Sequence, residues 1–301
     1  MMGGTPDEEN SDLWAGSILG GLVALLVLVI AMLYIIGTSR INKVYDVEVA
    51  AIAIPSGPAA VERGRHLVES IGLCVECHGE NLGGDILEDD PLFGTLAPSN
   101  LTSGRGGVGG EYTDMLFVRA IRNGINKDGN PMAIMPSNYY NIIVDEDIEA
   151  IAAYLKSLPP VDNEQKKTNL GPLGLILVLV EKGLLPAQII NHDAPRTVPP
   201  APGITKEYGE YLASVCAACH GEHLSGGSVP GEPPYAPKSA NLGQSWSERD
   251  FVQALRTGTT PYGKQLDPEL MPWNRFKLLD EDELQAIWLF IRSLEPREFE
   301  K

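Results

Sequence analysis

The feature that most constrains this chain is a pentapeptide that occurs twice. It reads Cys74-Val75-Glu76-Cys77-His78 and later Cys216-Ala217-Ala218-Cys219-His220, and the two copies use all 4 cysteines. The spacing has a chemical reading. Two thiols one helical turn apart reach two vinyl groups of one porphyrin and form two thioether bonds, and the residue that follows offers an imidazole nitrogen to the iron. A structural zinc would need further ligands beside each pair, yet the pairs lie 216 − 74 = 142 positions apart. A thioredoxin-like motif needs no His after the second Cys, and no βαβ pattern surrounds either copy. A disulfide within each pair is a state open to the protein before loading. The expectation is two covalently bound haem c groups, one held by Cys74, Cys77 and His78, the other by Cys216, Cys219 and His220.

The second half repeats the first beyond these motifs. His78-Gly79-Glu80-x-Leu82 matches His220-Gly221-Glu222-x-Leu224, and Asn100-Leu101 matches Asn241-Leu242. Phe117-Val118-x-Ala120-x-Arg122-x-Gly124 matches Phe251-Val252-x-Ala254-x-Arg256-x-Gly258, and Met135-Pro136 matches Met271-Pro272. The offset drifts, so insertions fall in loops, where they are tolerated. This predicts an all-α fold with two tandem haem domains, residues 58–160 and 204–297. The helices expected in the first are 59–71, 113–123 (closed by Gly124, with Met115 in its core face) and 145–158, with a Gly-rich loop over 79–111 wrapped along a haem edge. Val61, Arg63, Gly64 and His66 call for no special role, and His66 reads as a surface or packing histidine.

Each iron needs a second axial group. Of 5 histidines, two are proximal and no others are matched between the halves. The methionines are matched. Met135 and Met271 each precede a proline in the loop between the second and third helices, and are the candidate distal ligands; Met132 is the rival in the first half. His/Met ligation raises the potential relative to His/His and leaves no open position for substrate, which favours electron transfer over peroxidase or oxygenase chemistry. No catalytic residues are expected. Each proximal imidazole should donate its other N–H to a carbonyl, with Pro98 and Pro237 as candidates. The matched Arg122 and Arg256 face haem propionates or serve helix-end solubility.

Before the first motif, residues 1–12 are polar and acidic and read as disordered. Residues 13–36 carry no charge and are long enough to span a bilayer, with Trp14 and Tyr34 near the ends. No basic segment precedes the run and no small-residue cleavage site follows, so it reads as an uncleaved anchor. Residues 37–57 form a tether. Arg40 and Lys43 beyond the span would place the C-terminal side in the cytoplasm by the positive-inside rule, but haem is joined to C-x-x-C-H outside the cytoplasm in bacteria. The second argument outweighs two basic residues, and the haem domains are expected on the periplasmic face. A formal charge of −17, with 40 acids against 23 bases, speaks against nucleic-acid binding and suits a basic redox partner. Residues 161–203 form a Pro-rich linker. Its apolar run 173–180 is a short helix packed between domains, or else a membrane-surface or partner contact.

With these residues assembled, the chain resembles the cytochrome c subunits of membrane-bound periplasmic dehydrogenases for alcohols, aldehydes and gluconate. The likeness rests on Gly64-Arg65-x-Leu67-Val68, the C-x-x-C-H motifs, Ala97-Pro98-x-Asn100-Leu101-Thr102, Met135-Pro136, and Asp147 through Leu158-Pro159-Pro160-Val161. Those subunits carry three such haem domains, where this chain has two and an anchor. One anchor with two haems is also similar to the di-haem subunit of high-affinity haem–copper oxidases, which has a shorter gap between motifs, and multihaem subunits of quinol-oxidising complexes stay open. The resemblance implies a single-pass di-haem cytochrome c relaying single electrons in a respiratory or photosynthetic complex. The alternatives are the electron-accepting subunit of a periplasmic dehydrogenase and a di-haem peroxidase.

Overall fold

The apolar run near the N-terminus forms helix α1 (Pro6–Ile41), longer than the expected span at both ends. In the computed structural model, residues 6–50, 52–196, 198–229, 236–243, 246–295 and 297–299 are described. Residues 6–12 are helical rather than disordered, and 1–5 lie outside the described part. The stretch Gly16–Ile41 is long and apolar enough to cross a membrane. The chain after it is no free tether. The Tyr45 N–H donates to the Gly129 carbonyl (2.9 Å), and Val49, Ile52 and Ile54 pack on the first core.

The first helical cluster contains α2 (Pro58–Glu69), α3 (Cys74–His78), α4 (Asp114–Asn123), α5 (Ser137–Tyr140) and α6 (Asp145–Ser157). Pro58 opens α2, Thr113 caps α4 by accepting from the Leu116 N–H, and Gly124 closes α4 at φ 65°. Phe117, Val118 and Ile121 are buried as their spacing requires, but Met115 is 48% exposed on the first turn of α4. α7 (Pro172–Val180) follows. The second cluster contains α8 (Lys206–Ala213), α9 (Ala217–His220), α10 (Glu248–Thr257), α11 (Trp273–Phe276) and α12 (Glu281–Ile291).

The fold is mostly helical rather than all-α. Strands β1 (Glu88–Asp90), β2 (Gly94–Leu96) and β3 (Asn169–Leu170) form a small antiparallel sheet, with Glu88 opposite Leu96 and Thr95 opposite Asn169. The Gly-rich loop therefore folds into a hairpin, and the linker supplies its third strand. Earlier linker residues are tied down too: Asn100 Nδ2 donates to the Val161 carbonyl at 2.7 Å, and Asn163 Nδ2 to that of Gly83 at 2.8 Å. α7 is packed neither between the clusters nor free. It lies on the last turns of α1, where Gly37 is buried against Leu175 and the Arg40 guanidinium donates to the Val178 carbonyl at 3.2 Å.

In each cluster the helix before C-x-x-C-H crosses the last helix at a glycine. A Cβ on Gly64 would stand 1.9 Å from the Ala150 carbonyl oxygen of α6, and one on Gly209 would stand 1.8 Å from that of Ala286 on α12. Gly64 is thus essential to the crossing. Its neighbours Arg63 and His66 also have roles that periodicity missed. Arg63 binds Asp147 with both Nε (2.9 Å) and an Nη (3.1 Å), and reaches across to Glu283 (3.1 Å) and the Tyr208 hydroxyl (3.3 Å). His66 Nε2 meets Glu283 at 2.8 Å, and the Tyr211 hydroxyl donates to Asp147 at 2.7 Å. Asp147 and Glu283 sit at the same place in the first turns of α6 and α12, so the clusters meet through a nearly two-fold polar network.

Burial opposes ionisation of Glu283. The hydrogen bond and charge of His66, the Asp280 backbone N–H and the charge of Arg63 outweigh it and hold the carboxyl below its ordinary range. Between the lowered and the ordinary value the unfolded chain binds more protons, so this contribution is complete above the ordinary range and lost as pH falls through the lowered value. Thermal unfolding followed across that acidic window should show wild type losing stability on acidification more steeply than Glu283→Gln. Equal slopes would show that the network carries no linkage.

Candidate haem site

Each C-x-x-C-H segment is a single helical turn, and each is followed by the same tight loop. Gly79 and Gly221 leave the helix at φ 79° and 80°, and Leu82 and Leu224 then take left-handed backbone at φ 55°. Both leucines are buried, so core packing holds a conformation that costs an L-residue about 1–3 kcal/mol. The loops are pinned by matched backbone bonds: Gly84 N–H to the His78 carbonyl and Gly226 N–H to that of His220, both 2.8 Å. Leu101 N–H donates to Leu82 (2.8 Å) and Leu242 N–H to Leu224 (2.9 Å). This explains the repeated His-Gly-Glu-x-Leu and Asn-Leu pairs.

The imidazoles are oriented alike. His78 Nδ1 donates to the Ser99 carbonyl and His220 Nδ1 to that of Ala240, both at 2.7 Å. The acceptors are not Pro98 and Pro237. The Pro98 carbonyl is instead taken by the Asp85 N–H and the Gln165 side chain. With Nδ1 committed, Nε2 is the free donor atom of each ring. Burial lowers the pKa of both histidines, against the carbonyl bonds, and so favours the neutral ligating form. No disulfide joins the cysteines, and burial pushes Cys74 and Cys216 up to about 12.

All eight predicted site residues line one continuous cavity of about 1490 Å³: Cys74, Cys77, His78 and Met135 of the first half, and Cys216, Cys219, His220 and Met271 of the second. Its size exceeds the roughly 300–1000 Å³ of one ordinary ligand pocket. The methionine loops superpose in their bonding. Ser137 N–H donates to the Met135 carbonyl (2.7 Å) and Trp273 N–H to that of Met271 (2.6 Å), and Pro136 and Pro272 lead into α5 and α11. Met132 also lines the cavity, and its N–H donates to the Gly124 carbonyl at 2.7 Å. Leu266 does the same with Gly258, also at 2.7 Å, so Met132 occupies a place that is apolar and non-ligating in the second half. Thiol pairs, a neutral imidazole and a thioether around an apolar cavity fit a covalently held haem. Among the described residues no cluster of three His, Cys, Asp or Glu side chains could hold a metal by itself.

The sequence missed how close the two motifs lie. Ile71 and Leu73, just before the first motif, pack on the second core, and Val215, just before Cys216, packs on the first. Arg275, beyond Met271, pairs with Glu76 inside the first motif and with Glu80 after it. The matched arginines act as clamps on loop carbonyls, and neither lines the cavity. Arg122, 1% exposed, donates from Nε (3.2 Å) and Nη2 (2.6 Å) to the Ile143 carbonyl and pairs with Asp145. Arg256 does the same with the Leu279 carbonyl (2.6 Å) and Glu281 (2.6 Å).

Residues 207–295 match the family described as cytochrome c, and residues 59–155 match cytochrome c oxidase, cbb3-type, subunit III. The chain carries cytochrome c domains, and such domains bind haem c. It is also similar to the cytochrome c subunit of alcohol dehydrogenase (quinone) from Gluconacetobacter polyoxogenes, 28% identical over 79% of this chain and 56% of that protein. The fructose dehydrogenase cytochrome subunit of Gluconobacter japonicus is 27% identical (78% and 52% covered). The gluconate 2-dehydrogenase cytochrome c subunit of Pantoea cypripedii is 28% identical (78% and 60%). The chain is thus related, at modest identity over most of its length, to cytochrome c subunits of dehydrogenases, and spans about half the length of these relatives.

The clamp role is testable. Arg122→Leu leaves the Ile143 carbonyl and Asp145 without their partner, which should cost about 1–3 kcal/mol of stability. Haem potentials should not move; a shift without loss of melting temperature would place Arg122 at a propionate instead.

Proposed function

We propose that this chain is a membrane-anchored di-haem cytochrome c that relays single electrons as a subunit of a larger redox complex. Two haem-binding units, 58–160 and 204–297, are joined by residues 161–203 and held by an anchor over 13–36. The observation that carries the reading is the single cavity lined by two C-x-x-C-H turns and two matched Met-Pro loops. A bound haem c supplies a one-electron iron couple. Cys74 and Cys77, and Cys216 and Cys219, would fix the two groups; His78 and His220 would be proximal ligands, and Met135 and Met271 distal ones. The names of the relatives favour a dehydrogenase as electron donor over a photosynthetic assembly. The match of residues 59–155 to an oxidase subunit supports a second reading, an electron-delivering subunit of a haem–copper oxidase. A matched thioether lining the same cavity as each imidazole argues against a peroxidase, which needs an open iron.

Intact mass under denaturing conditions should exceed the polypeptide by two haems. Met271→Ala should open one iron to carbon monoxide on reduction and Met271→His should lower one potential, each leaving the other haem nearly unchanged; Met135 variants should act on the other haem. A single-haem mass, or a Met135→Ala protein with both irons still six-coordinate, overturns this assignment.

The attachment chemistry supports a periplasmic side for the haem units. Protease added to intact spheroplasts should remove them. Protection of both would reverse the orientation.

A further inference from the structure

Helix α7 is apolar on every side, Pro172-Leu-Gly-Leu-Ile-Leu-Val-Leu-Val180. A helix of that kind in a water-soluble body should be enclosed. This one is enclosed on one side only. Leu175 and Val178 are buried, while Leu173, Leu177 and Val180, spaced i, i+4, i+7 along one face, are 38%, 38% and 72% exposed. The patch continues onto the hairpin tip between β1 and β2. The Leu173 N–H donates to the Leu92 carbonyl and the Gly171 N–H to that of Phe93, both at 2.9 Å. Leu92 and Phe93 are 56% and 45% exposed. Asp90 does not dilute the tip, because its carboxylate turns back to accept the Leu92 (2.7 Å) and Phe93 (2.9 Å) N–H groups.

The position of this patch says what covers it. Gly37, which α7 buries, directly follows Ile36, the last residue of the expected span, and lies within the stretch Gly16–Ile41 that is long and apolar enough to cross a membrane. The contacts Gly37 with Leu175 and Arg40 with Val178 run in the same order along both helices, which turns the Pro172 end of α7, and the Leu92–Phe93 tip bonded to it, towards the span. A bilayer enclosing α1 up to Ile36 therefore reaches the patch, since headgroup and interfacial layers extend roughly 5–7 Å beyond the hydrocarbon on each side. Lys182, just beyond the last turn of α7, is exposed.

We propose that the outer face of α7 and the Leu92–Phe93 tip form a monotopic contact with the lipid surface of the membrane that holds α1. The inference rests on the anchor reading above. With α1 it gives two attachment elements, and because Tyr45, Val49, Ile52, Ile54 and β3 are bound to the first cluster, it fixes that cluster's height and rotation over the bilayer.

Haem-loaded full-length protein in vesicles of phosphatidylethanolamine and phosphatidylglycerol, doped with a diazirine-acyl phosphatidylcholine, tests this. After irradiation, peptide mass spectrometry reads where lipid has inserted. Label on α1, on 91–93 and on 172–180, several-fold above the exposed flank of α8, is the expected result. Label on α1 with none above control at 91–93 and 172–180 overturns the lipid contact and leaves the patch to a partner protein, while the anchor stands. Label on the patch without α1 removes the anchor and overturns the proposal, which seats the patch on the membrane that holds α1. Absence of label from both removes both.

Discussion

The architecture depends on two backbone contacts, α2 against α6 at Gly64 and α8 against α12 at Gly209. A methyl group at either place would meet a carbonyl oxygen at under 2 Å, so the helices would have to separate. Separation would be felt at once in the cavity. α2 ends only a few residues before Cys74, and α8 runs through one 3-10 turn into Cys216. The loop between helices four and six, which carries Met135, is held on its other side by Tyr140, whose hydroxyl donates to the Gly72 carbonyl at 2.6 Å. In the first half the crossing therefore sets the separation between the wall that carries Cys74, Cys77 and His78 and the loop that carries Met135. A core that is close-packed transmits such a shift rather than absorbing it.

The second constraint is the way the two clusters face each other. Asp147 and Glu283 are acids buried in helix first turns, where N-terminal dipoles favour negative charge. Each also needs a partner with donors, and both find Arg63, with His66 and Tyr211 completing the set. The network is asymmetric in chemistry although the positions are matched: Arg63 and Tyr208 occupy one pair of equivalent sites, His66 and Tyr211 the other. Both C-x-x-C-H turns line one cavity.

Much of this was legible from residues whose spacing is dictated by covalent or helical geometry. The thiol pairs, the imidazoles, the Met-Pro loops and the α4 boundary with its closing Gly124 all follow from short-range rules. What escaped was long-range. Gly64-x-x-Leu67 repeats as Gly209-x-x-Leu212, a signal present in the chain but easy to pass over when alignment starts at the cysteines. His66 and Arg63 look like surface residues because their partners are more than 80 positions away. Arg122 looks like a helix-end charge because nothing local announces that the Ile143 carbonyl needs a donor. The hairpin at 88–96 was hidden by its acids, which read as loop, and by its third strand lying in the linker.

The two basic residues at the end of α1, Arg40 in its last turn and Lys43 just beyond it, show how structure changes the weight of a sequence rule. Positive-inside orientation treats Arg40 and Lys43 as free cations that resist translocation. In the folded chain Arg40 spends its guanidinium on the Val178 carbonyl, one of the groups left without an intrahelical partner at the end of α7. The Lys43 ammonium sits over the Tyr45 ring, 4.2 Å from its centroid, and Tyr45 in turn packs edge-on against His192. Both residues thus have a structural reason to be basic, and their charge carries correspondingly little information about which face of a membrane they occupy. The argument on the other side draws on more residues: four cysteines in two C-x-x-C-H turns line one cavity with their histidines held through Nδ1, an arrangement that fits haem attachment, and the periplasmic orientation proposed above rests on that chemistry rather than on two committed cations.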